Sequence, residues 1–390
     1  MPRTAANKIA FIGFAACAVF ASVVPAAAAG RELQSACFPP ETLQAASGEE
    51  EAIKGDRRFS APPSRTPVLA AEPVPAQLRG AIRRVEVPGG RKLIALTFDL
   101  CEDRSEVAGY DGRIIDTLRR ENVKATLFAG GKWMRSHLTR TQQLMSDPLF
   151  EIANHAEAHH NLRLLDGDNL QDEILGPQRA YENIRKGLAQ TQCAARLPDA
   201  MQSVAPRLTL FRFPYGACNP QALAAVNDAG LLAIQWDVST GDPDPRTGPA
   251  ALVRTMTQRV KPGSILIAHA NGRGWHTAEA LPLAIAALKK QGYEFVTVSE
   301  LIAAGTPVIA ATCYNNTPGD TDRYDHFQGL LAGRKPSLQP AWGSPGIFIA
   351  GPGPGSKSDS KLGPKPGKTK PPQSRTGGGD HGTKPPHEPF

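Results

Sequence analysis

Between residues 92 and 298, apolar runs of strand length alternate with segments of helical period, and this alternation restricts the chain more than any other feature. The runs 92–98, 125–129, 150–153, 209–213, 231–238, 264–268 and 293–298 read as strands. The stretches 111–120, 137–145, 170–188, 220–229, 249–260 and 277–291 carry the 3.6-residue period or good helix formers. Strands separated by helices are joined by crossovers, so they are expected to lie parallel with the helices outside. Seven such strands suit a barrel-like closure of this α/β pattern better than a small open sheet.

The ends of the chain read differently. Arg3 and Lys8 precede an uncharged run over 9–24 and a series of small residues over 25–29, the pattern of a secretory signal peptide. That run is shorter than the ~20 residues a spanning helix needs. The chain is therefore expected to be exported, to the periplasm or beyond, with 1–29 as its signal. Residues 30–90 are Pro- and Ala-rich and predict an irregular lead-in to a catalytic domain at 91–305, followed by an extension over 306–350. Residues 351–390, rich in Pro, Gly, Ser and Lys, have too few large apolar side chains to build a core and predict a disordered tail.

The net charge of +7 sits mostly in those ends: the tail carries seven Lys or Arg against three Asp or Glu, the signal adds two cations, and the remainder is left at +1. No basic stripe with interleaved aromatics marks a folded face, so a nucleic-acid partner is not expected. The tail is suited to anionic wall or membrane polymers. Beyond Cys17 the cysteines are Cys37, Cys101, Cys193, Cys218 and Cys313, an odd set that leaves at least one unpaired within the chain.

Polar side chains gather where the strands are expected to end, the place where barrels of this kind carry their chemistry. The first run closes on Asp99-Leu100-Cys101-Glu102-Asp103. The third leads into His155 and His159, four residues apart, which on a helical turn share one face and bind one metal through imidazole nitrogens. With a carboxylate from another strand end they form a facial site with open positions. Arg212-Phe213-Pro214-Tyr215-Gly216, Asp242 and His269 follow later runs.

In this order, Thr97-Phe98-Asp99, His155-x-x-x-His159, Arg212-x-Pro-x-Gly216, Asp242 and Leu266-x-x-His269, the stretch from about residue 92 to 301 resembles the polysaccharide deacetylases, the NodB-homology or family-four carbohydrate esterases. The resemblance implies a distorted (β/α) barrel of about seven parallel strands. It also implies a divalent metal such as zinc or cobalt, and removal of acetyl groups from chitin-like, peptidoglycan-like or acetylxylan polymers.

Residue by residue, it makes Asp99 the general base, Arg212 the cation that holds Asp99 ionised, and His269 the general acid oriented by Asp242. His155 and His159 become metal ligands, and a backbone N–H near Tyr215 steadies the oxyanion. The expected activity is removal of N-acetyl groups from an amino-sugar polysaccharide. An O-acetyl esterase and a non-catalytic, sugar-binding or wall-associated relative are the alternatives.

Three positions depart from the family pattern. Leu100 stands where a second Asp usually follows the base, Pro243 replaces a common Trp, and Ala156 replaces a small hydroxyl residue. Leu100 cannot bind metal, and the loop after Asp99 offers Cys101, Glu102 and Asp103. Cys101 is a good zinc ligand by softness, but two residues after Asp99 it is expected beside the pocket, and an exported thiol is open to oxidation. The longer reach of Glu102 therefore favours it as third ligand, ahead of Asp103 and of a water-completed two-His site.

Overall fold

The computed structural model describes residues 26–325. Residues 1–25 of the expected signal and the tail expected at 351–390 lie outside them; the last four residues of that signal, 26–29, open the helix Ala26–Cys37. Among the described residues no helix is long and apolar enough to cross a membrane.

Ten strands form one curled sheet: β1 (Ala81–Glu86), β2 (Leu93–Leu100), β3 (Ala125–Ala129), β4 (Phe150–Asn154), β5 (Leu210–Phe211), β6 (Leu232–Ile234), β7 (Val238–Ser239), β8 (Ile265–His269), β9 (Glu294–Phe295) and β10 (Thr306–Ala310). Their spatial order is β10-β1-β6-β5-β4-β3-β2-β8-β7, with β9 pairing β2 off this path. The β1–β10 ladder is antiparallel, and the other ladders of the sheet run parallel. A lone bridge from Arg84 to Ser264, with Val85 N–H donating to Gly263 O at 2.9 Å, draws β1 toward the base of β8. Gly263 permits that approach, because a Cβ there would stand 1.6 Å from the Val85 carbonyl oxygen. The result is a half-barrel, a distorted form of the (β/α) barrel.

β2 shows how sequence places the site. All eight of its residues are buried, as expected of a parallel strand covered on both faces. Ile94, Leu96, Phe98 and Leu100 join the large apolar cluster shared with the surrounding helices, while Leu93 and Ala95 belong to a separate cluster on the other face. On that second face the next two positions are Thr97 and Asp99, so the apolar filling gives way to polar groups at the C-terminal end. Register does the rest: Asp99 pairs with His269 on β8 and with Phe128 on β3.

The sheet differs from the sequence expectation at its margins. β1 lies inside the stretch read as lead-in, and β10 inside the C-terminal extension, so both take part in the sheet. The single run expected over 231–238 is divided between β6 and β7. Gln235 N–H bonds Ile82 O at 2.7 Å and Asp237 N–H bonds Ile265 O at 3.2 Å, so the chain passes from β1 to β8 within three residues. The lead-in is bound to the barrel rather than independent of it: Leu33 is fully buried in the main cluster and Cys37 is disulfide-bonded to Cys193. A second disulfide, Cys218 to Cys313, fastens the segment after β10 beside the Pro214–Gly216 turn.

Candidate active site

Arg212 follows β5 and is fully buried. One of its terminal nitrogens, Nη1, donates to Asp99 Oδ1 and to Thr97 Oγ1, each at 2.8 Å, and its guanidinium lies 3.9 Å from the centre of the Phe128 ring. The Thr97 hydroxyl in turn donates to Leu266 O at 2.6 Å. Burial alone would raise the Asp99 carboxyl, but the charge of Arg212, with His155 and His269 nearby, outweighs it and holds the group below the usual carboxylate range. The site thus keeps a buried carboxylate ionised and aimed.

His155 comes directly after β4, its N–H bonded to Ala129 O at 3.1 Å. Its ring Nδ1 lies 3.0 Å from Arg212 O, and since a carbonyl only accepts, Nδ1 carries the proton. Nε2 is then a lone-pair donor, 3.5 Å from Asp99 Oδ2. Burial keeps this ring and that of His159 neutral, lowering both below the usual imidazole value. The two rings stand 5.1 Å apart between centroids.

The His pair does not share a helical turn, contrary to the sequence expectation. Ala156 (φ 63°) and His159 (φ 54°) both occupy the left-handed region, so residues 155–159 form a tight irregular loop. Each such residue costs on the order of 1–3 kcal/mol and persists only where the surroundings over-determine it. Glu157 supplies one clamp, paired with Arg135 at 2.6 Å. Glu173 supplies another, accepting from Ala158 N–H at 3.0 Å and pairing with His160 Nδ1. His160 is therefore a fastener of the loop. Tyr215, also left-handed at φ 61°, places its ring 4.6 Å from that of His159 and 5.1 Å from that of Tyr324.

Glu102 does not stand beside the His pair. Its side chain is fully buried in another direction, with Oε1 2.5 Å from Lys132 Nζ and bonded to the Ser136 hydroxyl, and Oε2 accepting from Ala108 N–H at 3.0 Å. Lys132 is itself buried and takes the carboxylate as its counter-ion. Asp103 turns back to Ser105, accepting from its N–H and hydroxyl at 2.6 Å. Among the described residues, the group whose ligand atoms converge is Cys101, His155 and His159, all within 4.8 Å of one another. Burial and the neighbouring Asp99 charge push the Cys101 thiol up to about 12.

His269 closes β8 across from Asp99. Its ring Nδ1 lies 3.0 Å from Asp242 Oδ1, and its backbone N–H donates to Asp242 Oδ2 at 2.7 Å. Thr240 Oγ1 and Thr277 Oγ1 also donate to Asp242, at 3.0 and 2.7 Å. Burial works against a charged ring, but the Asp242 carboxylate outweighs it and raises His269 above its usual value. Thr277 and Asn271 are supporting residues that no sequence signal singled out, whereas Thr97 stands in the Thr97-Phe98-Asp99 motif. Thr277→Val is expected to lower stability by about 1.5–3 kcal/mol, the range for a hydrogen bond to a charged group; an unchanged unfolding midpoint would show that the bond contributes nothing.

Asp99, Arg212, His155, His159, Asp242 and His269 thus come together from five separate segments, the two histidines sharing one loop. Residues 86–234 match the family model described as polysaccharide deacetylase. This stretch belongs to the polysaccharide deacetylase family. The chain is 29% identical over 223 residues to a peptidoglycan-N-acetylglucosamine deacetylase of Bacillus cereus, a match covering 56% of this chain and 91% of that one. It is 31% identical over 229 residues to a Listeria monocytogenes protein of the same description, covering 57% of this chain but 42% of the relative. Among solved structures, a family-four carbohydrate esterase pseudoenzyme from Bacillus anthracis is similar at 25% identity and a TM-score of 0.47, covering 57% of this chain and 69% of that one.

Proposed function

We propose that this deacetylase domain hydrolyses N-acetyl groups of an amino-sugar polysaccharide, peptidoglycan or a chitin-like oligomer, with a divalent cation, zinc or cobalt, held by His155 and His159. The observation that carries the reading is the pairing, across one ladder position, of a carboxylate held below its usual range by Arg212, Asp99, with an imidazole raised above its usual value by Asp242, His269. A base and an acid whose surroundings drive them in opposite directions are what amide hydrolysis requires. Neutral imidazoles with a lone pair turned inward suit a dication. When bound, such an ion supplies Lewis acidity, polarising an acyl carbonyl and acidifying water.

The chain's own groups do the proton work. Asp99 takes the proton of the water whose oxygen adds to the acetyl carbon, and the buried pair with Arg212 fixes its orientation. His269 then gives its proton to the amide nitrogen as the carbon–nitrogen bond breaks, so that acetate and a free amine leave. Asp242 holds the imidazole in place through Nδ1. Tyr215 borders the His159 side, where the oxyanion is expected to form.

The test is acetate release from paired N- and O-acetylated oligosaccharides, with and without chelator. Chelator-sensitive release from the N-acetylated member supports the reading; release from the O-acetylated member alone makes the chain an esterase, and no release from either makes it a non-catalytic relative. The pH profile gives a second check. Since His269 must be protonated to act and its value is raised, activity is expected to fall only as pH passes above the usual imidazole value of 6.5. Asp242→Asn removes the raising charge, so that alkaline limb should move to lower pH. A limb that stays in place would mean that another group titrates there.

A further inference from the structure

We infer that the third protein ligand of this metal site is the Cys101 thiolate, held in place by Asn271, where the family pattern has a carboxylate. This rests on the metal-dependent reading of the site given above, and four observations carry it. The first is convergence: Cys101, His155 and His159 present ligand atoms within 4.8 Å of one another. The second is strand periodicity: successive residues point to opposite faces, so Cys101 continues the face of Thr97 and Asp99, while Leu100 lies in the helix-side cluster and Glu102 turns to Lys132.

The third is a supporting donor. The buried Asn271 amide, two residues beyond His269, donates from Nδ2 to Cys101 Sγ at 3.2 Å and to Cys101 O at 2.8 Å. A side-chain N–H directed at sulfur favours the anionic form and fixes its orientation, as outer partners of metal ligands do. The fourth is selective pairing. Cys37, Cys193, Cys218 and Cys313 are joined in disulfides, and Cys101 alone among the described cysteines remains a thiol. A thiol bound to a dication is deprotonated outright. One sulfur and two imidazoles form a borderline-soft donor set, which suits Zn²⁺ or Co²⁺ and disfavours Mg²⁺ and Ca²⁺.

Cobalt makes the sulfur visible. The full chain, stripped of metal and titrated with CoCl₂, is expected to bind one Co²⁺ and to develop an intense near-ultraviolet sulfur-to-cobalt charge-transfer band. The four disulfide cysteines cannot produce that band. Cys101→Ser should abolish it while the weaker visible bands of imidazole-bound cobalt remain. Asn271→Leu should keep it but weaken cobalt binding roughly 10–100-fold, the usual effect of losing an outer-shell partner. One equivalent of cobalt bound by the wild-type chain without the band overturns the inference and needs no variant to fold. If the band is absent but acetate release is chelator-sensitive, the thiolate ligand falls and the deacetylase reading stands. If the band develops but no acetate is released, the thiolate ligand stands and the deacetylase reading falls.

Discussion

Asp99→Asn is expected to lower kcat by about 10²–10⁴-fold, the span of a general base, while leaving bound metal at its wild-type content. The substitution preserves shape, and the amide oxygen can still accept from Arg212 Nη1, which lies 2.8 Å from Asp99 Oδ1. It removes the charge that takes the proton. Elemental analysis beside single-turnover kinetics separates the roles: loss of metal from this variant would make Asp99 a ligand, and unimpaired turnover would remove it from the chemistry.

Glu102→Ala is expected to cost about 3–5 kcal/mol of stability, because removing one member of a buried pair leaves the other charge uncompensated. Lys132 has no exposed side-chain surface, and besides Glu102 its Nζ meets the Glu106 carbonyl oxygen at 2.6 Å. Ser136 and the Ala108 N–H lose an acceptor as well. Denaturant unfolding should show the loss while cobalt affinity of the folded fraction stays unchanged. Unchanged stability with lost metal would return Glu102 to the ligand set that the sequence favoured.

The reason that expectation failed is local. Reach along a loop favours Glu102, whereas β2 keeps its two-residue alternation to its end, and alternation assigns Cys101 to the Asp99 side. The signal is present in the sequence as the odd-numbered series 93, 95, 97, 99, 101. The neighbourhood of Asp99, Arg212 and His269 was legible because each lies within or directly follows an apolar run, and parallel register then brings Asp99 and His269 level. The shape of the His loop was not legible. Left-handed backbone at Ala156 has no propensity signature and at His159 only a weak one, and the loop is held from outside by Arg135, through Glu157, and by Glu173. β1 and β10 were missed for a related reason: β10 is defined by its pairing with β1 and β1 by pairing with β10 and β6, all across long stretches of intervening chain, and neither run announces a strand alone.

The two disulfides also bear on how the chain is made. Taken in order after residue 29, its cysteines are 37, 101, 193, 218 and 313, and the native bonds join the first to the third and the fourth to the fifth. A chain oxidised strictly in order of emergence would link Cys37 to Cys101, consuming the thiol that faces the histidines and leaving Cys193 to pair wrongly with Cys218. Were the chain matured in an oxidising compartment, it would depend either on β2 burying Cys101 before an oxidant reaches it, or on an isomerase that releases it afterwards. The yield of competent protein from such a compartment becomes a contest between the closing of one strand and the making of one wrong bond.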